Sequence, residues 1–590
     1  MRHVIATVVL LMSNANAGWI DTDTAEEHMT TKSLVDGSTY QLVMSDEFNV
    51  PNRNFADGSD PMWTALDKSD DDANAVGGGS LHFYNSSTVT TTEDGQLEIK
   101  SYMGKTEWDH YDVIKKKYRK IKKDFKSGMV QSWDKFCFTG GIIEAEVTLP
   151  GFSDIGGLWP AFWILGNLAR HTYVGSSTHI WPWSTSTCNW QTEYAQLVSG
   201  CRNVDHFDMA RGRGRGAPEI DIFEVQPGPY KAGDGPFWQM PVGQPFMSSS
   251  YQVAPGRSWN RPGDGWWPAP GQWYEGLYFG YNTSLNILFY GSYNHYRGDH
   301  DARKDYWSDA ISFNRQLEQK HFQGKHVYRL QWGLPEVNGT DRGYLQWYVD
   351  GDLVLEINGT GLEASNTGSE ISTEPSSILL NTAVSSQWGF PMTCPANCKC
   401  EVFDCHSPHY SETCGFSPGF CLMMSQITPA YKVNWVRVYQ DHTNEQHKVG
   451  CSTPERPTKK FIEANAHLYM QEGDTQPLKK IQTGRGKCIP DSDTTGPSSC
   501  GGYKHGICTP MGVCSCNKGY TGPHCLAPVG FDPIPWDDSA KLGYAGPGLT
   551  PTAFLFIFGS LGVMMVMVAK QRHWVFNSYG FKPIPDVVIK

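Results

Sequence analysis

The sequence lacks an excess of basic residues. It has 49 Lys and Arg against 61 Asp and Glu, which gives a net charge of −12, and this argues against nucleic acid as the main partner. Helix-type patterns are scarce as well. With 61 Gly, 36 Pro and frequent Ser, Thr and Asn runs, the chain is typical of short strands joined by turns. We therefore expect a mainly β protein.

Two uncharged apolar runs lie near the chain ends. The first, in "MRHVIATVVLLMSNANAG", predicts a signal peptide at residues 1–17, cleaved after Ala17. The second, "PTAFLFIFGSLGVMMVMVA" at 551–569, has no charge in 19 residues, close to the ~20 that span a bilayer as a helix. The basic "KQRH" that follows predicts a cytosolic tail at 570–590. A short buried helix is the alternative for each run.

These signals together predict a single-pass protein of the secretory pathway or plasma membrane, with a large luminal or extracellular part. Disulfides form in that compartment, and the chain has 16 Cys. Four N-x-S/T sequons suit the same compartment as glycosylation sites. They are Asn85, Asn282, Asn338 and Asn358.

Six of the cysteines fall within residues 488–525, at 488, 500, 508, 514, 516 and 525. So many cysteines in a short segment indicate a disulfide-stapled module. Its ending, "CSCNKGYTGPHC", resembles an EGF-like module, and the resemblance implies three pairs. These are Cys488–Cys508, Cys500–Cys514 and Cys516–Cys525. We expect linkers on either side, at 441–487 and 526–550.

Ten cysteines remain. Cys188 and Cys201 are candidates for a bridge across one insertion. Six more crowd one loop, and their spacing fits either disulfides, which we favour in an oxidising compartment, or a zinc site. These are Cys394, Cys398, Cys400, Cys405, Cys414 and Cys421.

Two basic motifs have competing interpretations. "KKKYRKIKKDFK", residues 115–126, looks like a nucleic-acid or lipid patch, but its charges form no helical face, so we favour a solvated loop or edge strand. "RGRGRG", residues 211–216, resembles an RNA-binding tract. It has few repeats and leads straight into an acidic motif, which favours a flexible approach loop.

That acidic motif is "PEIDIFE", residues 218–224. Side chains alternate along a strand, so Glu219 and Asp221 share a face whereas Glu224 points to the other. A β-bulge between Ile220 and Glu224 would restore the parity and turn all three acids into one cleft. Ile220 and either Ile222 or Phe223 would then face the core.

Paired carboxylates on one strand face suit retaining glycoside cleavage, which needs a nucleophile and an acid about 5–5.5 Å apart. The middle acid can hydrogen-bond the nucleophile and help separate the pKa values. A surface strand with scattered acids is one alternative. A Ca²⁺ site is another, although Ca²⁺ usually requires further oxygen ligands from a loop.

Several separated motifs resemble glycoside hydrolase family 16. "PEIDIFE" is similar to its E-x-D-x-x-E signature, and "FTGGIIEAEVTLPG", "GLWPAFWILG" and "SSILLNTAVSSQWG" are similar to its neighbouring strands. "KSGMVQSWDKFCFTGG" and "IWPWSTSTCNW" are similar to its β-glucan synthesis-associated branch. The resemblance covers residues 40–440. It implies an all-β, concanavalin-like jelly-roll sandwich with a concave cleft for β-glucan.

The same resemblance implies a role for each acid: Glu219 as nucleophile, Asp221 as its helper and Glu224 as general acid/base. Four tryptophans are candidates for contact with sugar rings, with the sandwich core as the alternative for the first two. They are Trp159, Trp163, Trp181 and Trp183. We expect no metal in the acid site and no tightly bound cofactor, and a structural Ca²⁺ stays open.

Three functions are compatible with the sequence. The first is a membrane-anchored retaining glycosidase or transglycosylase that acts in β-glucan biosynthesis and cell-wall or storage-glucan assembly. The second is a non-catalytic glucan-binding assembly factor that uses the same cleft, and the third is an adhesion receptor. The complete set of acids favours the first. Linkage (β-1,3 or β-1,6) and the choice between water and a sugar as acceptor are not readable, because loops build the acceptor site.

Overall fold

The structure, a computed structural model of the 590-residue chain, describes residues 19–69, 80–112, 117–188, 196–201, 207–226, 244–255, 277–286, 308–365, 368–385, 405–406, 417–471, 473–490, 500–502 and 504–528. The predicted signal peptide, transmembrane helix and cytosolic tail lie outside these ranges. Within them, no helix combines the length and hydrophobicity that crossing a bilayer requires.

The described part of the chain is built almost entirely from strands. Its strands are, in chain order, β1 Thr30–Lys32, β2 Thr39–Asp46, β3 Thr64–Ala65, β4 Lys68–Ser69, β5 His82–Tyr84, β6 Val89–Thr91, β7 Leu97–Lys100, β8 Tyr102–Asp112, β9 Lys117–Ser127, β10 Met129–Gln131, β11 Cys137–Thr139, β12 Gly141–Thr148, β13 Leu158–Gly166, β14 Glu219–Gln226, β15 Phe246–Val253, β16 Leu277–Phe279, β17 Thr283–Leu285, β18 Asp309–Gln316, β19 His326–Gly333, β20 Tyr344–Val349, β21 Asp352–Asn358, β22 Ser376–Val384, β23 Ala430–Gln440, β24 Lys448–Val449, β25 Gly506–Cys508, β26 Cys514–Cys516, β27 Tyr520–Thr521 and β28 Ala527–Pro528.

Helices are few and short among the described residues. They are α1 Val174–Ser177, α2 Gly359–Ser365, α3 Phe420–Leu422 and α4 Lys459–Ala464, with 3₁₀ turns at Glu26–His28, Ser86–Thr88, Gln319–Phe322 and Ala466–Tyr469 and a π turn at Met423–Ile427.

Two large antiparallel sheets form the body of the protein. Sheet A has the order β1-β2-β23-β12-β19-β20-β21-β16, with β6 and β7 paired beside β23. Sheet B has the order β17-β18-β15-β14-β13-β22-β10-β3, with β11 and β24 beside β22. Strands that are far apart in the sequence are neighbours in both sheets, as β2 and β23 are in sheet A. Each sheet therefore forms only when distant parts of the chain come together.

The core lies between the two sheets because alternate residues of each strand are apolar. On β12, Ile143, Ala145 and Val147 enter the core, while Glu144 and Glu146 are half-buried on the other face. Each fully buried aliphatic side chain contributes about 1.5–3 kcal/mol. The sheets therefore stack as a sandwich, and the prediction of an all-β sandwich is confirmed.

The basic run at residues 115–126 enters a small third sheet of order β4-β5-β9-β8. Strand β9 pairs with β8 along its length and with β5 only near its end. Lysines oppose acids across the ribbon, as in Asp109 opposite Lys120, with those side chains 3.3 Å apart. The described part of the run is thus a strand, one of the two forms expected, but it is not solvated throughout, since Lys123 and Phe125 are buried.

Much of the segment predicted as a linker, 441–487, packs on the sandwich. A disulfide joins Cys137 to Cys451, which sequence reasoning did not foresee. Beyond it, the ring of Tyr469 stacks on Trp133 at 5.3 Å between centroids, and Arg170 donates to the carbonyl of Tyr469 at 2.6 Å. The segment is thus a docked strap, here defined as residues 451–484, and not a free spacer.

The cysteine-rich module holds three disulfides. They join Cys488 to Cys508, Cys500 to Cys514 and Cys516 to Cys525, which are the pairs that the resemblance to an EGF-like module implies. Two short hairpins, β25–β26 and β27–β28, complete it. Disulfides also join Cys188 to Cys201 and Cys405 to Cys421, as favoured for those insertions. The other cysteines of the crowded loop, at 394, 398, 400 and 414, lie outside the described residues.

Candidate active site

Strand β14 carries the three acids, and its pairing with β15 contains the predicted bulge. Asp221 lies opposite Ser250 and Glu224 opposite Ser248, so three steps along β14 match two along β15. The pairing of β14 with β13 shifts at the same place. The bulge prediction is therefore confirmed. The extra residue returns Glu224 to the face that Glu219 and Asp221 share.

The two faces of β14 have opposite chemistry. Ile220, Ile222 and Phe223 all belong to the core between the sheets, so both residues left as alternatives pack inward. The acids line the outer face, yet Asp221 is only 1% and Glu224 only 6% exposed. This degree of burial requires a further layer of chain over the outer face of sheet B.

That layer comes from the segment between β13 and β14 together with the docked strap. Its side chains form a second apolar cluster on the outer face of sheet B, and one residue of the strap, Phe461, joins it. Other members are Trp163, Leu165, Leu168, Ile180, Met209, Ala217 and Leu379. The acids therefore lie beside an apolar surface that these side chains form.

Two N–H groups hold the side chain of Glu219. The indole of Trp181 donates to Glu219 Oε2 at 2.6 Å, and the amide of Gln252 donates to Glu219 Oε1 at 2.6 Å. The same amide donates to Asp221 Oδ2 at 3.1 Å, while the indole of Trp347 donates to the backbone carbonyl of Asp221 at 2.9 Å. Donors of this kind stabilise the ionised form of Glu219.

Glu224 has a drier environment. Its Oε2 is buried and makes no hydrogen bond of good geometry among the described residues, although the side chain of Trp159 lies close enough to interact with the carboxyl. Burial raises the pKa of Glu224 well above its usual value, the charge of Asp221 adds to the rise, and the side chain of Trp159 opposes it. A carboxyl group in such a place keeps its proton at neutral pH, and a protonated carboxyl can donate that proton.

The other two acids form a coupled pair. Burial raises the pKa of Asp221 to about 7, and its hydrogen bond from Gln252 opposes the rise. Burial also raises the pKa of Glu219 well above its usual value, with the charges of Asp221 and Glu224 adding to the effect and the Trp181 bond opposing it. Neighbouring carboxyls cannot all ionise together at neutral pH, so they share protons.

The structure separates the four candidate tryptophans. Trp183 is fully buried against Ala254, and Trp163 is 5% exposed with its indole N–H bonded to Asn381. Neither ring faces outward as a sugar platform would. The expected exposure of Trp183 is therefore wrong, and Trp163 packs in the apolar cluster on the outer face of sheet B, not in the sandwich core that was its alternative. Trp159 and Trp181 are half-buried beside the acids.

Sequence reasoning missed Gln252 and misjudged the "RGRGRG" motif. Gln252 lies directly opposite Glu219 on β15, a register that the sequence does not reveal. The motif is not a flexible approach loop throughout, since Arg215 is 3% exposed and both its Nε and Nη2 bond Glu374, at 2.6 and 2.7 Å. Its Nη1 also donates to the carbonyl of Pro457 in the strap. The loop is therefore anchored at its end.

The acid trio is a poor fit for a cation. Ca²⁺ takes six to eight oxygen ligands, whereas both carboxylate oxygens of Glu219 and Oδ2 of Asp221 already accept N–H bonds. These hydrogen bonds hold the same oxygens in place when an uncharged ligand binds.

Sequence comparison matches residues 2–397 to the family described as "Beta-glucan synthesis-associated protein SKN1/KRE6/Sbg1". The chain belongs to this family. Within the SKN1/KRE6/Sbg1 family it is 28% identical over 475 residues to "Beta-glucan synthesis-associated protein KRE6" of Candida albicans, covering 78% of this chain and 53% of that protein. It is 30% identical over 397 residues to KRE6 of Saccharomyces cerevisiae, covering 64% of this chain and 47% of that protein. The chain thus spans about half the length of the curated relatives it matches.

Solved structures similar to this member of the SKN1/KRE6/Sbg1 family include two glucanases. One is the catalytic domain of an endo-1,3-β-glucanase (laminarinase) from Thermotoga petrophila, at 18% identity and a TM-score of 0.35, covering 68% of this chain and 98% of that one. The other is an endo-β-1,3-glucanase from Pyrococcus furiosus, at 18% identity and a TM-score of 0.33, covering 70% of this chain and 98% of that one.

Proposed function

We propose that this protein is a retaining glycosidase or transglycosylase that acts on β-glucan during glucan assembly. One observation carries the proposal: a bulge on β14 gathers three acids on one face, where Glu219 has two N–H donors and Glu224 Oε2 has none of good geometry among the described residues. Two carboxyls in unequal environments are what acid and nucleophile require.

Glu219 is the nucleophile in this proposal. Its carboxylate attacks the anomeric carbon while the Glu224 carboxyl gives its proton to the departing glycosidic oxygen, which leaves a glycosyl-enzyme ester on Glu219. Glu224, now ionised, takes a proton from water or from a sugar hydroxyl, and that oxygen displaces Glu219. Water gives hydrolysis, whereas a glucan hydroxyl gives transglycosylation.

In the proposed mechanism, Glu219 and Asp221 together carry one negative charge and share one proton. Glu219 accepts two short N–H bonds and Asp221 accepts one longer side-chain bond. The hydrogen bond between Glu219 and Asp221 raises the pKa of Glu219 and lowers that of Asp221, so the two carboxyls share one proton. Glu219 acts as the nucleophile when that proton lies on Asp221, a form that the two N–H donors of Glu219 stabilise. We also assign Trp159 and Trp181, which flank the acids, as the rings nearest the sugar.

Anchorage in the membrane belongs to the same proposal. The uncharged run at 551–569 and the basic residues that follow it support one C-terminal span, with the sandwich luminal or extracellular in the secretory pathway. Protease added to sealed vesicles that contain the protein should remove only the last ~20 residues, those beyond a span of about 20 apolar residues. Protection of that tail would contradict the orientation.

A glucan-binding assembly factor is the second candidate, favoured by the family name, which refers to synthesis and not to hydrolysis. The purified full chain, incubated with defined β-1,3- and β-1,6-gluco-oligosaccharides, separates the two by mass analysis of the products. We expect shortened or rearranged oligosaccharides from the wild type and none from Glu219→Gln, which retains binding. Binding with no new product in either protein would establish the assembly factor.

A further inference from the structure

Three side chains of metal-ligating type converge in sheet A, on elements that carry none of the acids. His321 lies in the 3₁₀ turn at 319–322, His326 begins β19, and Asp350 lies in the turn between β20 and β21. Their ligand atoms all lie within 4.8 Å of one another. The two imidazole rings stack with centroids 3.8 Å apart, so one ring must turn for nitrogens of both to bind the same ion. We propose that His321, His326 and Asp350, here called the histidine cluster, bind a zinc ion.

A hydrogen-bond partner orients each member of the cluster. His326 Nδ1 is 2.6 Å from Asp350 Oδ2, while Asp350 Oδ1 accepts the backbone N–H of Val327 at 2.9 Å. His321 Nδ1 is 2.9 Å from the hydroxyl of Tyr328, which leaves Nε2 of His321 for a metal. Tyr328 and the amide of Val327 lie outside the cluster, and outer partners of this kind fix the orientation and basicity of ligands at protein metal sites.

The donor set selects the metal. Two imidazoles and a carboxylate are ligands that zinc accepts, whereas Ca²⁺ and Mg²⁺ prefer oxygen alone. The side chain of Asp350 is 44% exposed, which gives the ion a route in and water a fourth position.

Zinc would tighten the cluster. Ligand atoms around a tetrahedral zinc with bonds of 2.0–2.1 Å lie roughly 3.3 Å apart, so binding draws the wider separations inward and opens the 2.6 Å contact between His326 and Asp350. The exposed Asp350 side chain can make this movement. The bound ion replaces the proton between His326 and Asp350. It would clip the 319–322 turn and the start of β19 to the β20–β21 turn, and so stabilise one end of sheet A.

The test uses the full chain, stripped with a chelator and dialysed against Zn²⁺, with Ca²⁺ and Mg²⁺ in parallel. We expect one zinc per chain and a higher unfolding temperature with Zn²⁺ alone. His326→Gln and Asp350→Asn should lower zinc affinity at least tenfold, since each removes one of three ligands. Their unfolding temperatures without zinc show whether the variants fold.

His28→Gln is the matched control, because His28 also lies near a carboxylate, 3.9 Å from Glu27, but outside the cluster. It should bind zinc as the wild type does. Co²⁺ gives a second readout, since its visible absorption reports nitrogen ligands and should disappear in a folded His321→Gln protein. Wild-type protein that binds no zinc, or a folded His326→Gln protein that binds it equally well, would overturn the proposal.

Discussion

Two groups of buried acids in this domain differ in their partners. Glu374 is buried, yet its pKa lies below its usual value because Arg215 and Arg456 outweigh the cost of burial. Asp221 and Glu224 of β14 are also buried and Glu219 is half-buried, but the pKa values of all three are raised, and no basic side chain among the described residues offsets the rise. Burial is therefore accompanied by a lowered pKa where arginines pair with the acid, and by a raised pKa where no basic side chain does.

A second structural cluster repeats the first pattern. Arg53 bonds Asp46 at 2.7 Å and Asp60 at 2.8 Å, and the indole of Trp63 donates to Asp46 as well. Acids that only support the fold are thus neutralised by arginine in both places. Burial raises the pKa of Asp134 to about 7 as well, so a raised pKa alone does not mark the acids of β14. What sets them apart is that three such acids lie together on one face, as the proposed catalytic role requires.

The largest expected effect concerns the acids of β14, which have no basic partner among the described residues. Glu224→Ala should lower turnover of β-gluco-oligosaccharides about 10²–10⁴-fold, because the leaving oxygen no longer receives a proton. The first step on an activated aryl β-glucoside should survive, since that leaving group departs without help. Added azide should then attack the intermediate and give a β-glycosyl azide, which product analysis detects.

The matched control is Glu356→Ala, a half-buried acid on β21 that bonds Gln346 away from the trio. It should turn over oligosaccharides at the wild-type rate. If Glu224→Ala also kept the wild-type rate, the raised pKa of Glu224 would have no catalytic meaning.

Loss of the ion pair between Glu374 and Arg215 should lower the free energy of unfolding. Arg215→Met leaves the buried Glu374 with Arg456, at the longer distance of 3.4 Å, as its basic partner, and breaking a buried pair costs about 3–5 kcal/mol of unfolding free energy. Denaturant titration measures it. Arg211→Met, in the exposed part of the same motif, should change stability by less than about 0.5 kcal/mol. Equal losses in both variants would contradict the assigned role of the pair.

The smallest expected effect concerns pH. The pKa of Asp221 is about 7 in the folded protein against an ordinary 3.8, so the folded state binds more protons and stability falls as pH rises from about 4 to 7. Asp221→Asn removes this penalty. It should raise the unfolding temperature by about 1–3 °C at pH 7.5 and not at pH 4, while reducing activity. A variant less stable than the wild type at pH 7.5 would mean that Asp221 supports the fold.

Local patterns made the acid strand predictable. The alternation of side chains along a strand shows that Glu224 would point away from Glu219 and Asp221, and a β-bulge is enough to bring it back. The three acids could therefore be grouped from the sequence. The pairs of the cysteine-rich module followed from a local motif for the same reason. In each case the residues lie within about 40 positions of one another, and the resemblance to known motifs is short-range.

Long-range packing was not predictable. Gln252 reaches Glu219 only because β15 pairs beside β14 in one register. The Cys137–Cys451 disulfide spans 314 residues, and the strap that begins there has the composition of a linker. The burial of Trp183 likewise depends on Ala254, on a distant strand end. Such contacts depend on how strands pair, which composition and periodicity do not encode.

The central claim is that Glu219 forms a covalent bond to glucan. Incubation of the full chain with an activated 2-deoxy-2-fluoro β-gluco-oligosaccharide, followed by intact and peptide mass analysis, tests it most directly, because the fluorine slows release of the intermediate. We predict one glycosyl adduct per chain, on the peptide that contains Glu219, and none on Glu219→Gln. An adduct on a different carboxylate, or no adduct on the folded wild type, would contradict the claim.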